Sequence, residues 1–154
     1  MTAAEGIATV GGLGRIVPGA PGPLASFLTL FVAWGLVAVH GQPLVLVAAA
    51  ATSAVGLWGA ELYSRQHGSK DPSECVVDEV AGQLIACAVT PRTFVLYGLA
   101  FLLFRLFDIV KPWPIRMVER RVAGGIGIML DDVVAALYAV ALLLIAEGVF
   151  GVRP

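Results

Sequence analysis

Five long apolar stretches in a chain of 154 residues leave little room for any fold but a bundle of membrane helices. They run over Pro23–Val39, Pro43–Leu62, Val76–Val89, Thr93–Val110 and Val133–Val149. A helix needs about 20 residues to cross the hydrocarbon layer, with about 17 near the lower limit. The third stretch is short by itself. Asp71-Pro72-Ser73 reads as an N-cap followed by proline at the first helical position, which would start that helix a turn earlier. It would then run from Pro72 to Val89, ended by Thr90-Pro91, and either span thinly or re-enter. Only 14% of the residues are charged and 58% are hydrophobic, against roughly 25% charged in soluble domains. A chain this small cannot hide that much apolar surface from water. The expected fold is therefore all-α: one polytopic membrane domain over residues 1–154, with about five hydrophobic helices.

The connections alternate. His40-Gly41-Gln42 and Thr90-Pro91-Arg92 are tight, whereas the N-terminus, Tyr63–Asp78 and Asp108–Asp132 are longer and polar. If every stretch crosses, the three polar segments share one side. Arg15, Arg65, Lys70, Arg105, Lys111, Arg116, Arg120 and Arg121 fall there, against Arg92 and Arg153 on the other side. That bias places the polar side in the cytoplasm and a short C-terminus outside; a re-entrant third helix would change the side of the C-terminus. The acids follow the same side, Glu147 excepted. A net charge of −1 argues against nucleic acid as a partner. Cys75 and Cys87 are too few for a disulfide framework, and on one helix they would lie about 18 Å apart. Residues 1–19 show no removable signal peptide, lacking a basic start followed by an apolar run.

Three clusters carry possible chemistry. On a helix starting at Pro72, Asp71, Glu74 and Asp78 would share one face, continued by Gly82. Like charges stacked in this way repel, and a divalent cation held by carboxylate oxygens would offset the repulsion. The plain alternative is a capped helix end paired with Arg65 and Lys70. In the second cluster, Arg105 and Asp108 sit three apart near the end of an apolar helix that Pro112 and Pro114 terminate at Lys111. Ionisable residues at such depth face a bundle interior or a polar cavity. Arg105 and Lys111 suit a phosphate, although an internal Arg105–Asp108 pair with Lys111 reaching lipid phosphates is the alternative. Trp113 fits an interfacial anchor. In the third, Gly124-Gly-Ile-Gly127 reads as a flexible loop before a helix that opens with Asp131 and Asp132, whose alternative is an acidic start favoured by the helix dipole.

Other signals are weak. Gly12-Leu-Gly14 lacks a third glycine and a preceding strand. His67 reads as a loop residue, and no Ser-His-Asp or Cys-His arrangement is visible on the polar side. The three acidic groups and most basic residues end at one bilayer face. A shared metal-and-phosphate site accounts for all of them at once.

These stretches resemble the phosphatidylglycerophosphatase A family. The resemblance rests on Asp71-Pro-Ser-Glu-Cys-Val-Val-Asp-Glu-Val-Ala-Gly-Gln83, Phe104-Arg-Leu-Phe-Asp-Ile-Val-Lys-Pro-Trp-Pro-Ile115 and Gly124-Gly-Ile-Gly-Ile-Met-Leu-Asp-Asp132. Ala20-Pro-Gly22 with Ser26 is a partial fourth match. Departures are Pro23 where the family usually has threonine, Ala25 in place of glycine, and Ala136 where glycine is frequent. The resemblance implies a bacterial inner-membrane, Mg²⁺-dependent enzyme hydrolysing phosphatidylglycerophosphate to phosphatidylglycerol and phosphate. On that reading Asp78, Glu79, Asp131 and Asp132 would bind one or two Mg²⁺. Arg105, Lys111 and Arg116 would hold phosphate, Asp108 would orient Arg105 or join the metal, and Asp71 and Glu74 would lie behind. Oligomeric state is not legible. Competing readings are a CDP-alcohol phosphotransferase, whose Asp-Gly-x-x-Ala-Arg signature is absent, a small ion transporter or Mg²⁺ channel, and a non-catalytic subunit.

Overall fold

The computed structural model describes residues 1–17 and 19–150, the side chain of residue 150 excepted. Seven α-helices are found, with no strand among the described residues: α1 Ala3–Ala8, α2 Pro21–His40, α3 Gln42–His67, α4 Val77–Ala88, α5 Phe94–Val110, α6 Ile115–Arg121 and α7 Gly124–Phe150. Three of them, α2, α3 and α7, are long and apolar enough to cross a membrane. With 17 residues α5 sits at the lower limit, and α4 has only 12. Three helices thus have the length and apolarity of a crossing, and the expected count of about five is not confirmed.

What permits so short a fourth helix is its position. No residue of α4 is exposed; it packs against α2, α3, α5 and α7, so its length is matched to its neighbours. The start expected at Pro72 does not form. Val76 N–H donates to the Ala8 carbonyl at 2.9 Å, and Cys75 N–H closes a turn on Pro72 at 2.8 Å. These bonds pin residues 72–76 over α1, so the helix begins only at Val77. Consequently Asp71, Glu74 and Asp78 do not share a helical face.

The last helix departs in the other direction. It begins at Gly124, nine residues before the apolar stretch, so Gly125 and Gly127 are helical and Asp131 and Asp132 lie two turns inside. A β-carbon on Gly125 would run into the backbone of α3 at Leu57 and Glu61. Glu61 Oε2 accepts from Gly125 N–H at 2.5 Å, so α3 supplies the acceptor that satisfies the opening turn of α7.

The bundle buries small residues and exposes large ones. Ala25, Ala33, Ala49, Ala60, Ala135, Ala136 and Ala139 are inside, whereas Phe31, Leu46, Val47, Leu144 and Ile145 are exposed. This is the pattern of helices associating in lipid, where close backbone approach holds helices together without the aid of water. Gly82 is the tightest case near the centre: a β-carbon there would collide with the ring of fully buried Phe104 and lie 3.2 Å from the Asp132 carbonyl. Gly82→Ala is expected to lower stability by about 1–3 kcal/mol, offset by about 1 kcal/mol from better helix propensity. A fall in the thermal midpoint in detergent would show it; an unchanged or raised midpoint would mean that the helices part freely.

Both ends of the bundle are tied by specific contacts. At one end Arg15 meets Glu74, Lys70 Nζ donates to the Glu119 carbonyl, and Glu61 meets Gly125. At the other, Gln42 donates to the Thr90 carbonyl, Trp34 stacks on Phe94, and Arg92 lies over Trp34. The polar segments therefore do gather at one end. Arg153, counted on the opposite side, lies outside the described residues.

Candidate active site

Three helices bring ionisable side chains into one recess below the polar end. From α4 come Asp78 and Glu79, from α5 Arg105 and Asp108, and from α7 Asp132. The N-terminal turn of α2 closes the recess through Gly22, where a β-carbon would collide with the Glu79 carboxylate and lie 3.4 Å from Arg105 Nη1. Only a residue without a side chain lets α2 come this close. Pro23 sits in the first turn of α2 and places no hydroxyl there.

Asp78, Glu79 and Asp132 each offer a carboxylate oxygen, and the three oxygens lie within 4.8 Å of one another. Asp78 is 7% exposed and Asp132 3%. Asp78 Oδ1, Glu79 Oε2 and Asp132 Oδ2 are buried without a hydrogen-bond partner. Buried charge of one sign with unsatisfied oxygens is costly unless something positive joins it. Arg105 is the nearest cation from the chain, with Nη1 2.8 Å from Asp108 Oδ2 and 4.0 Å from Glu79 Oε1. Its Nε is buried and unpartnered. One guanidinium among four carboxylates leaves the recess negative, a setting suited to a hard divalent cation.

Asp131 does not join this group. Successive residues of a helix are rotated by about 100°, so Asp131 and Asp132 face different neighbours. Asp131 Oδ2 lies 2.8 Å from Lys111 Nζ, which is also 2.8 Å from Glu119 Oε1. Lys111 is thereby engaged by two carboxylates. Although burial opposes the charged form, hydrogen bonds from Asp131 and Glu119 prevail and hold the ammonium above its ordinary range. Lys111 also adopts φ +46°, unusual for a residue with a β-carbon, as the cap that ends α5. Lys70, Asp71, Glu119 and Asp131 share a small cavity of about 90 Å³ on this side of α7.

Two further expected residues lie elsewhere. Glu74 Oε2 accepts from Tyr63 Oη at 2.6 Å and from Arg15 Nε at 3.0 Å, and those two contacts hold its carboxyl below the usual range. It fastens the α3–α4 connection to the N-terminal segment. Arg116 is exposed, donates to the Val110 carbonyl at 3.3 Å and does not enter the recess. Cys75 and Cys87 are free and buried, and burial pushes the Cys75 thiol up to about 12, so it is no nucleophile. The residues missed by sequence reasoning are Gly22 as the close-approach point, Glu61, Glu119 and Tyr63. Tyr63 and Glu61 sit on an apolar helix where spacing alone gives no hint of their distant partners.

Comparison with known proteins adds a family. The phosphatidylglycerophosphatase A family model matches residues 6–147. A phosphatidylglycerophosphatase A of Haemophilus influenzae is 37% identical over 130 residues, covering 84% of this chain and 79% of the relative. That of Escherichia coli is 34% identical over 137 residues, covering 86% and 75%. A Bacteroides thetaiotaomicron protein, provisionally named phosphatidylinositol-3-phosphatase, is 41% identical over 99 residues, covering 62% of this chain and 61% of its own length. No solved structure matches.

Proposed function

This chain belongs to the phosphatidylglycerophosphatase A family, and we propose that it hydrolyses the terminal phosphomonoester of phosphatidylglycerophosphate in glycerophospholipid synthesis, with Mg²⁺ as cofactor. The observation that carries this reading is the buried triad of Asp78, Glu79 and Asp132, with convergent oxygens and three unpartnered acceptor atoms. Its donor set fits Mg²⁺, which takes oxygen ligands and typically one or two carboxylates alongside waters and substrate phosphate. Asp78, Glu79 and Asp132 would hold the ion. When bound, it would supply positive charge against the phosphate oxygens.

The remaining work falls to the chain. Arg105 would present its guanidinium to the phosphate, since positioning and electrostatics dominate phosphoryl transfer. Asp108 would fix the plane of Arg105 through their ion pair. Lys111, held by Asp131 and Glu119, would position the α5 end and α7 relative to one another instead of touching the phosphate. In the reaction a water oxygen bonds to phosphorus, the phosphorus–oxygen bond to glycerol breaks, and the glycerol oxygen gains a proton. The acyl chains would stay in the bilayer beside the apolar exterior while the headgroup enters the recess. The cation-rich end supports an inner-membrane enzyme whose site faces the cytoplasm.

Purified protein in detergent micelles is expected to release phosphate from phosphatidylglycerophosphate with Mg²⁺ and to fall to background with EDTA. Phosphatidylinositol 3-phosphate, assayed beside it, should be the poorer substrate; a reversal would move the reading toward the activity in the name of the Bacteroides relative. No release from folded protein with Mg²⁺ would overturn the phosphatase reading and turn attention to cation transport.

A further inference from the structure

The end of α5, the turn at residues 111–114 and α6 enclose an open groove of about 500 Å³ outside the carboxylate recess. Arg116, Arg120 and Arg121 line it together with Lys111 and Trp113. All three arginines are exposed, and among the described residues none has a carboxylate within 4.0 Å, whereas Lys111 is matched by Asp131 and Glu119. The groove therefore holds three uncompensated guanidinium groups on a chain whose net charge is −1.

Its other wall is apolar. Trp113 is 76% exposed and Val110 51%, and both line the groove with Pro112 and Met117. A tryptophan beside arginines at the end of an apolar helix is the arrangement found at the headgroup level of a bilayer. Guanidinium groups bind phosphate through paired hydrogen bonds, and basic clusters beside a membrane helix attract anionic lipids. An inorganic anion would have no use for the apolar wall. An amphiphile with a phosphate at one end and acyl chains at the other matches both.

We propose that this groove docks the phosphate of an anionic membrane phospholipid, at a position separate from the triad of Asp78, Glu79 and Asp132. The assignment does not depend on the phosphatase reading, because it rests on α6 and the α5 end alone. It predicts that lipids with net negative headgroups accumulate beside Trp113.

The test uses the three tryptophans. In a Trp34→Phe, Trp58→Phe protein only Trp113 fluoresces. Reconstituted in nanodiscs, it should be quenched more strongly by brominated phosphatidylglycerol than by brominated phosphatidylcholine at the same mole fraction. A local preference on the order of a hundredfold is the expected scale for three basic residues. Arg116→Gln, Arg120→Gln and Arg121→Gln together should erase the difference. Equal quenching by the two lipids, or a preference that survives the triple change, would overturn the proposal. Loss of the preference on adding inorganic phosphate, beyond that caused by chloride at equal ionic strength, would instead mark a free-anion site. Should the tryptophan variant not fold, the same lipid comparison on the unmodified protein, with the arginine variant as baseline, gives the readout.

Discussion

Asp132→Asn should lower phosphate release on the order of a hundredfold or more, while its neighbour Asp131→Asn should stay within about tenfold of the parent rate. The two residues are adjacent in sequence and chemically alike, so the contrast isolates geometry. Asp132 contributes one of three converging oxygens; Asp131 is spent on Lys111. Asparagine keeps the shape and removes the charge. Since Asp132 is buried among like charges, its replacement should leave the thermal midpoint unchanged or raise it. Loss of activity with a retained fold would then be a statement about the site. Equal losses from both variants would mean that the metal group extends to Asp131.

Arg105→Met should be the most destabilising single change in the recess. The Arg105 and Asp108 side chains are 13% and 14% exposed and 2.8 Å apart, with Glu79 4.0 Å away. Removing the cation leaves two carboxylates facing each other without compensation, and breaking such a buried pair costs about 3–5 kcal/mol. Asp108→Asn added to Arg105→Met should recover part of the loss, because one stranded charge disappears. Arg105→Lys should fold yet release phosphate far more slowly, since an ammonium cannot replace the planar fork. Denaturant or thermal melts in one detergent would compare all three; a loss for Arg105→Met of under about 1 kcal/mol would show that the pair behaves as a surface one.

Much of this arrangement was legible in the sequence. The apolar stretches located α2, α3, α5 and most of α7, and Pro112 with Pro114 marked the end of α5. The acids of the recess were named as candidates from their spacing and family resemblance. What spacing could not reveal was orientation. Asp71, Glu74 and Asp78 form a helical stripe only if the helix starts at Pro72, and a backbone bond from Val76 to Ala8, nearly 70 residues away, works against that. Gly124, Gly125 and Gly127 suggest a loop by propensity, yet tertiary contact with α3 makes them the start of a helix. The count of about five crossings is left unconfirmed for a related reason. Hydropathy reads apolar length, and much of the apolar surface of α4 is buried against neighbouring helices. Arg116 and Lys111 suited a phosphate by chemistry alone, and only the fold shows one outside the recess and the other engaged by carboxylates.

The contribution of Glu61 to the first turn of α7 bears on how the protein comes into being. Synthesis runs from the N-terminus, so α3 is in place long before α7 leaves the ribosome. The opening turn of the last helix finds its acceptor already waiting, in the form of a side chain that until then has only Arg65 for company. Asp132 reaches Asp78 and Glu79 only when that helix docks. A partly made chain thus holds an incomplete set of acids, and their three oxygens converge only once α7 has docked.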